Sequence, residues 1–299
     1  MIISASRRCD IPRFHFPWFL NRLDAGFVET VNPYNHTQIR RVSLLPGDAE
    51  LFVFWTRDPG AILLHEETLA KRGCRYYVMT TLTGYPKILE PRGPRQEAVL
   101  RAMENLAARL GPDRLIWRYD PVFLSGGTDE EFHLCNFRTL SRSLEGLVRR
   151  VIISLFDAYR GPERRLAALE RQGRLKRLPV TDAEGRLLPG PWDLLSGLAR
   201  IAREAGMTIQ TCAEPEDRIP PGIVRGACID GELIEKLWGI KTGGKDKNQR
   251  SHCRCASSVD IGAYGPCPAG CVYCYARRPG PPFSPSAASG DPPGCGTAY

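Results

Sequence analysis

Nowhere in the 299 residues does an apolar run approach the ~18 to 20 residues that span a bilayer. The start, Met-Ile-Ile-Ser-Ala-Ser-Arg-Arg, has no charged n-region followed by a long apolar h-region. These absences argue against a membrane partner and set the expectation of a cytoplasmic protein. Heptads and internal repeats are missing too, so neither a coiled coil nor a solenoid is expected. No dense Lys/Arg block with interleaved aromatics accompanies the 41 basic and 33 acidic residues, so the net charge of +8 is thin support for a nucleic-acid partner. His15, His36, His65 and His133 make no ligand spacing with one another, and His252, beside Cys253, reads first as a solvated loop residue.

What is abundant is cysteine. There are eleven, an odd number, and in a reducing cytosol clustered thiols are better read as metal ligands than as disulfides. Cys267, Cys271 and Cys274 stand in Cys-Pro-Ala-Gly-Cys-Val-Tyr-Cys, a spacing of three residues and then two. Zinc sites favour Cys-x-x-Cys pairs, and a ferredoxin needs a fourth cysteine nearby. Three thiolates on one short loop instead suit three corners of a 4Fe-4S cluster with one iron left open.

Short β-branched or aromatic runs alternate with stretches of helical apolar spacing, the rhythm of βα units. Eight runs are predicted as strands: Ile2–Ser4, Phe27–Val31, Leu51–Trp55, Tyr76–Leu82, Leu115–Tyr119, Val151–Leu155, Thr208–Cys212 and Ser258–Ile261. Helices are predicted at Pro12–Leu23, Ala61–Arg72, Arg95–Leu110, Asp129–Leu147, Arg160–Arg171, Trp192–Ala205 and Gly231–Trp238, with Gly26, Gly73, Gly111 and Gly206 as helix stops. The expected fold is α/β, a TIM-like (β/α) barrel, closed or partly open, forming one domain over residues 1–278. The Pro/Gly/Ser-dense tail 279–299 is expected to be disordered, and Arg174–Pro191 reads as a polar loop able to cover a site.

Polar residues close almost every predicted strand, and a parallel barrel gathers strand ends at one mouth. Arg118 and Asp120, two apart on a strand, share a face and are candidates for an ion pair or a substrate clamp. Tyr264, near the triad, is a candidate for shaping a pocket or relaying hydrogen. Cys212, Cys228, Cys253 and Cys255 could meet at the same mouth as a second site, for a further 4Fe-4S cluster or a zinc ion. Cys74 and Cys135 read as buried small hydrophobes.

The segment Gly265-Pro-Cys-Pro-Ala-Gly-Cys-Val-Tyr-Cys-Tyr-Ala-Arg-Arg278 resembles the radical S-adenosylmethionine superfamily, and its Gly270–Arg277 part is most similar to the spore photoproduct lyase branch. The chain as a whole resembles an uncharacterised bacterial family, on Arg7-Arg8-Cys9-Asp10-Ile11-Pro12, Trp117-Arg118-Tyr119-Asp120-Pro121 and the triad. The superfamily resemblance implies that the triad ligates a 4Fe-4S cluster whose open iron binds S-adenosylmethionine. It also implies reductive cleavage to a 5′-deoxyadenosyl radical acting on a small-molecule or other substrate, and an electron donor such as ferredoxin or flavodoxin. Tyr273 is then the aromatic that packs the loop near the cofactor.

Superfamily members carry the triad after the first strand, whereas here it lies near the end. The resemblance therefore implies a circular permutation, with Ser258–Ile261 in the role of the first strand and Ile2–Ser4 in that of the second. The family's Gly-Gly-Glu segment is absent, and Ser6, Arg8 and Asp10 occupy its expected place as candidate cofactor contacts. The alternatives are an iron-sulfur or zinc protein without S-adenosylmethionine chemistry, and a nucleic-acid repair or modification enzyme.

Overall fold

The computed structural model describes residues 1–265 and 267–279, so the expected disordered tail lies, apart from its first residue, outside the described residues. Eight strands form one sheet in which every pairing is parallel. In chain order they are β1 (Ile2–Ala5), β4 (Leu51–Thr56), β5 (Tyr76–Thr81), β6 (Leu115–Val122), β7 (Arg150–Leu155), β8 (Thr208–Thr211), β9 (Val224–Arg225) and β10 (Val259–Asp260). The spatial order is β10-β1-β4-β5-β6-β7-β8-β9. The last strand thus lies beside the first, with Ile3 opposite Val259 and Ser4 opposite Asp260. The two-residue strands β9 and β10 are the sheet's edges, and among the described residues no ladder joins them. The arrangement is consistent with a TIM-like barrel that has an open seam.

One predicted strand belongs elsewhere. Phe27–Val31 falls in β2 (Phe27–Asn32), which pairs antiparallel with β3 (Asn35–Ser43) in a separate two-stranded sheet. The reason is local. Strands buried on both faces read as unbroken apolar runs, as Leu51-Phe-Val-Phe-Trp does, whereas β2 is mostly half-buried and its partner β3 is largely polar. Asn32-Pro33-Tyr34-Asn35 then supplies a tight reversal, in which the Tyr34 amide donates to Asn32 Oδ1. The eighth sheet strand is instead β9, two residues long and without a periodic signal.

The connecting helices are α1 (Ile11–Phe14), α2 (Phe16–Ala25), α3 (Gly60–Leu64), α4 (Glu66–Lys71), α5 (Gln96–Leu110), α6 (Glu130–Ser143), α7 (Arg160–Arg171), α8 (Pro189–Glu204) and α9 (Gly231–Trp238). Gly26 closes α2 with φ 75°, a left-handed conformation that glycine adopts without a Cβ penalty. Side chains alternate across the sheet. One face, with Ile3, Phe52, Phe54, Val78, Trp117, Tyr119 and Val151, packs under the helices. The other, inner face carries Ile2, Leu51, Val53, Trp55, Tyr77, Met79, Ile116 and Ile152, and is covered by chain from Ala227 to Ala256, including Leu233 and Ile234 of α9. The segment between the two sheet edges therefore fills the inside of the sheet.

Arg174–Pro191 is tied down at its start: the Leu178 amide bonds to Leu124 O at 3.1 Å, and Arg177 pairs with Glu163 and Glu170 at 2.8 Å each. Cys74 is half-buried, while Cys135 is exposed on α6, contrary to the expectation of a buried thiol. Its position faces away from the buried stripe formed by His133, Phe137, Leu140 and Ser141.

His133 is fully buried, with Nδ1 at 2.8 Å from the Tyr119 hydroxyl. Burial depresses its pKa to about 4 from the ordinary 6.5. The folded state therefore holds the neutral ring while the unfolded chain takes up a proton below 6.5, so stability present above that pH is lost as pH falls toward 4. Denaturant titrations across this window should show a steep loss for the wild type and a shallower one for His133→Gln. Parallel slopes would show that another group carries the effect.

Candidate metal centre

Two groups of cysteines meet the sheet. The first consists of Cys212, immediately after β8, Cys228, in the turn between β9 and α9, and Cys253 with Cys255, in the segment leading to β10. The sulfurs of Cys212, Cys228 and Cys255 all lie within 4.8 Å of one another. Cys253 joins them through thiol contacts with Cys212 and Cys255. Hydrogen bonds from Cys212, Cys228 and Cys253 pull the Cys255 thiol below the ordinary range, and the Ile229 amide donates to its sulfur at 3.4 Å. The Cys212 thiol is pushed up by its bonds to the other three and by burial. Cys228, Cys253 and Cys255 are buried, so this is a soft, shielded donor set able to hold a metal ion.

The second group is the loop after β10 that bears Cys267, Cys271 and Cys274. It sits over the ends of β4, β5 and β6, where Tyr273 packs on Tyr85 and Phe123, with centroids 6.0 and 6.3 Å away. The Val272 amide bonds to Leu89 O at 3.0 Å. Arg165 of α7 donates to the carbonyls of Val272, Cys274 and Arg277. Beneath the loop lies a buried network: Arg57 meets Glu90 at 2.7 Å, the Tyr273 hydroxyl donates to Glu90 and accepts from Arg57, and Thr83 bonds to Glu90 at 2.5 Å. Burial works against the Arg57 charge, but Glu90 and Tyr273 outweigh it, so the guanidinium stays protonated. Burial lifts the Cys271 thiol to about 11, with Arg57 opposing the rise.

Between the two groups stand the inner-face polar residues. Arg118 pairs with Asp120, and Ser154 donates to the other oxygen of that carboxylate. Burial opposes the Arg118 charge, while Asp120, Cys228 and Cys212 more than restore it. The Arg118 and Arg7 guanidiniums lie over Trp55 at 4.8 and 5.9 Å from the ring centre. Arg118 Nε and Trp55 Nε1 are buried donors without a protein partner, as is the Gln210 Oε1 acceptor.

The candidate cofactor contacts at the N-terminus have protein partners. Ser6 donates to Asp260 Oδ1 at 2.6 Å. Asp10 caps α1 through the Arg13 amide at 3.1 Å and accepts the Arg57 amide at 2.8 Å, so both its oxygens are taken. Arg8 bonds to Gly262 O at 3.4 Å, pairs with Asp260 at 4.0 Å and lies over Tyr264 at 5.2 Å, with Arg278 over the same ring at 3.9 Å.

Sequence reasoning missed Glu90, Arg165 and Tyr275. Glu90 lies in a loop with no periodicity, although its charge inside Ile-Leu-Glu-Pro is a weak signal. Tyr275, next to Cys274, bonds through its hydroxyl to Arg7 O at 3.0 Å and stands in electrostatic reach of both Cys274 and Arg118.

An α/β protein with a parallel sheet and a buried cysteine cluster able to bind metal is the class that this architecture defines. The chain belongs to the family described as domain of unknown function DUF1848, whose model matches residues 2–276. No curated protein matches the sequence. Among solved structures, the dihydropyrimidinase from Brevibacillus agri NCHU1002 is 15% identical, with 65% of this chain and 38% of that one covered and a TM-score of 0.30. A structure of the pneumococcal virulence factor StrH is 9% identical, with 76% and 57% covered and a TM-score of 0.28. The chain thus spans well under two thirds of either protein's length, and likenesses of this size carry no conclusion about activity.

Removing Glu90 leaves Arg57 buried without its carboxylate, a loss of about 3 kcal/mol or more. Glu90→Ala should fall by that order in urea denaturation and should speed labelling of Cys271 by a thiol reagent, whereas Tyr273→Phe, losing neutral bonding, should cost about 1 kcal/mol. Unchanged labelling in Glu90→Ala would show that the network does not hold the loop.

Proposed function

We propose that this chain is a radical S-adenosylmethionine-type iron-sulfur enzyme, circularly permuted relative to that superfamily. In this reading Cys267, Cys271 and Cys274 hold a 4Fe-4S cluster. The observation that carries it is the pairing of Ile3 with Val259 and Ser4 with Asp260, by which a triad late in the chain follows a strand lying next to the first. A permuted barrel requires that neighbourhood. Three soft thiols on one loop, with the Arg57 and Arg165 charges acting on Cys271 and Cys274, suit such a cluster. When bound, a 4Fe-4S cluster with one open iron supplies one-electron reduction of a sulfonium.

The chain's own residues do the rest. Glu90, Arg57 and Tyr273 keep the loop fixed, and the apolar packing of Tyr85, Phe123 and Tyr273 keeps water from it. In this reading Arg8, stacked on Tyr264, orients the cofactor, while Ser6 and Asp10, bonded to Asp260 and to the Arg13 and Arg57 amides, support that stretch of backbone. Arg118, fixed by Asp120, together with Trp55, offers unpaired buried donors to substrate, which suits a carbonyl, carboxylate or phosphate oxygen. Reducing equivalents come from a ferredoxin- or flavodoxin-type donor in the cytoplasm.

Anaerobic reconstitution with iron and sulfide, followed by reduction in the presence of S-adenosylmethionine, should yield 5′-deoxyadenosine, and Cys271→Ala should abolish it. A fully loaded, reduced protein that gives none would overturn the reading. With a substrate in hand, Arg118→Ala should keep the cluster's absorption while lowering substrate-dependent turnover about 10- to 100-fold, the loss of one charge-assisted contact. Equal loss of the cluster would mean that Arg118 serves the fold instead.

A further inference from the structure

We propose that Cys212, Cys228, Cys253 and Cys255 bind a single zinc ion that fastens the open seam of the sheet, and that they do not bind a second cubic cluster. The proposal does not rest on the reading of the triad. Its first support is distance. In a tetrahedral site with zinc–sulfur bonds of about 2.3 Å, the sulfurs stand about 3.8 Å apart. A cubic cluster places each thiolate on a separate iron and spreads the sulfurs much further. Cys212, Cys228 and Cys255, all within 4.8 Å, stand at the spacing of ligands to one ion. Cys253, whose sulfur is not among the three that lie mutually within 4.8 Å, bonds to Cys212 and Cys255 and offers the fourth ligand.

The second support is the surroundings. The Ile229 amide points at the Cys255 sulfur at 3.4 Å and the Cys255 amide at the Cys253 sulfur at 3.5 Å, the backbone donation that a metal-bound thiolate accepts. Arg118 and Arg7 lie close enough to act electrostatically on Cys228. Four thiolates on a divalent ion carry a net charge of about −2, which these two cations face. An all-cysteine tetrahedral set leaves no open coordination position, so the role is structural.

The third is topology. Cys212 and Cys228 come from the β8–β9 edge, whereas Cys253 and Cys255 lead into β10 at the opposite edge. No ladder joins β9 to β10 among the described residues, yet the four thiols bring those two edges to one point. A metal there does the closing that hydrogen bonds do in a complete barrel. It also pins both ends of the segment from Ala227 to Ala256 that covers the inner face.

The test uses the full chain purified without added iron or sulfide, together with a Cys267→Ala/Cys271→Ala/Cys274→Ala variant, with metals measured by mass spectrometry and acid-labile sulfide by assay. About one zinc per chain is expected in both proteins. Cobalt substitution should give the intense thiolate-to-metal bands of tetrahedral sulfur coordination. Cys253→Ala should bind zinc at least 10-fold more weakly, and Cys253→His should restore it, which separates ligand loss from misfolding. Chelation should lower Tm and speed amide exchange over residues 226–258. Iron with matching sulfide in the triad variant would establish a cluster and overturn the proposal. One iron without sulfide would overturn the zinc assignment, and no metal in either protein would overturn the site.

Discussion

The fold depends on the Asp260 carboxylate. It stands on the last strand and accepts from the hydroxyls of Ser4 and Ser6 at 2.8 and 2.6 Å, the Arg7 amide at 2.8 Å and the Gly262 amide at 3.0 Å, with Arg7 and Arg8 as counter-charges. A two-residue ladder is a weak join by itself. A buried carboxylate with four donors is strong, because leaving any one of them unpaired would cost about 1 to 3 kcal/mol. This one group makes the first and last strands neighbours across the whole length of sequence. It also aims the chain after Ile261, and so the triad loop, at the mouth formed by β4, β5 and β6.

Among the described residues, the other end of the sheet has no such hub. β9 is as short as β10, but its neighbour beyond is not a strand, and the inner face there is closed by side chains from α9 and its flanks. Cysteine is an economical way to tie such a segment, since a sulfur fills a small apolar space whether or not it is ligated. Their mutual bonding makes the same four residues difficult to explain as packing alone. Thiols converging in a low-dielectric interior are a high-stakes arrangement, and three of their sulfurs lie close enough to hold a metal ion.

Much of this was legible in the sequence. Leu51–Trp55 is buried on both faces and announces a central parallel strand, and helices at Arg160–Arg171 and Gly231–Trp238 stand where the apolar spacing placed them. Cys212 stands at a predicted strand end, but Cys228 and Cys255 reach it because the segment from Ala227 to Ala256 packs inside the sheet, which no strand pattern records. Other features left no local signal. β9 is too short for a period, and a hairpin strand such as β2 carries the same β-branched residues as a central one until its half-buried pattern is known. Glu90 meets Arg57 and Tyr273 only because three loops from different strands converge, and no spacing within one segment records that.

The same convergence gathers charged side chains at the mouth. Its cations are nearly all matched: Arg57 by Glu90, Arg118 by Asp120, Arg7 and Arg8 by Asp260. Matching removes most of the penalty of burial but also fixes each guanidinium in one orientation. Arg118 uses its outer nitrogens on Asp120 and Thr81, leaving Nε buried without a protein partner, and Trp55 Nε1 nearby is in the same condition. A fold selected only for stability would trade these for apolar groups, because each unpaired buried donor costs about as much as a hydrogen bond is worth. Two such donors stand on one polar face, where the proposed substrate would be held.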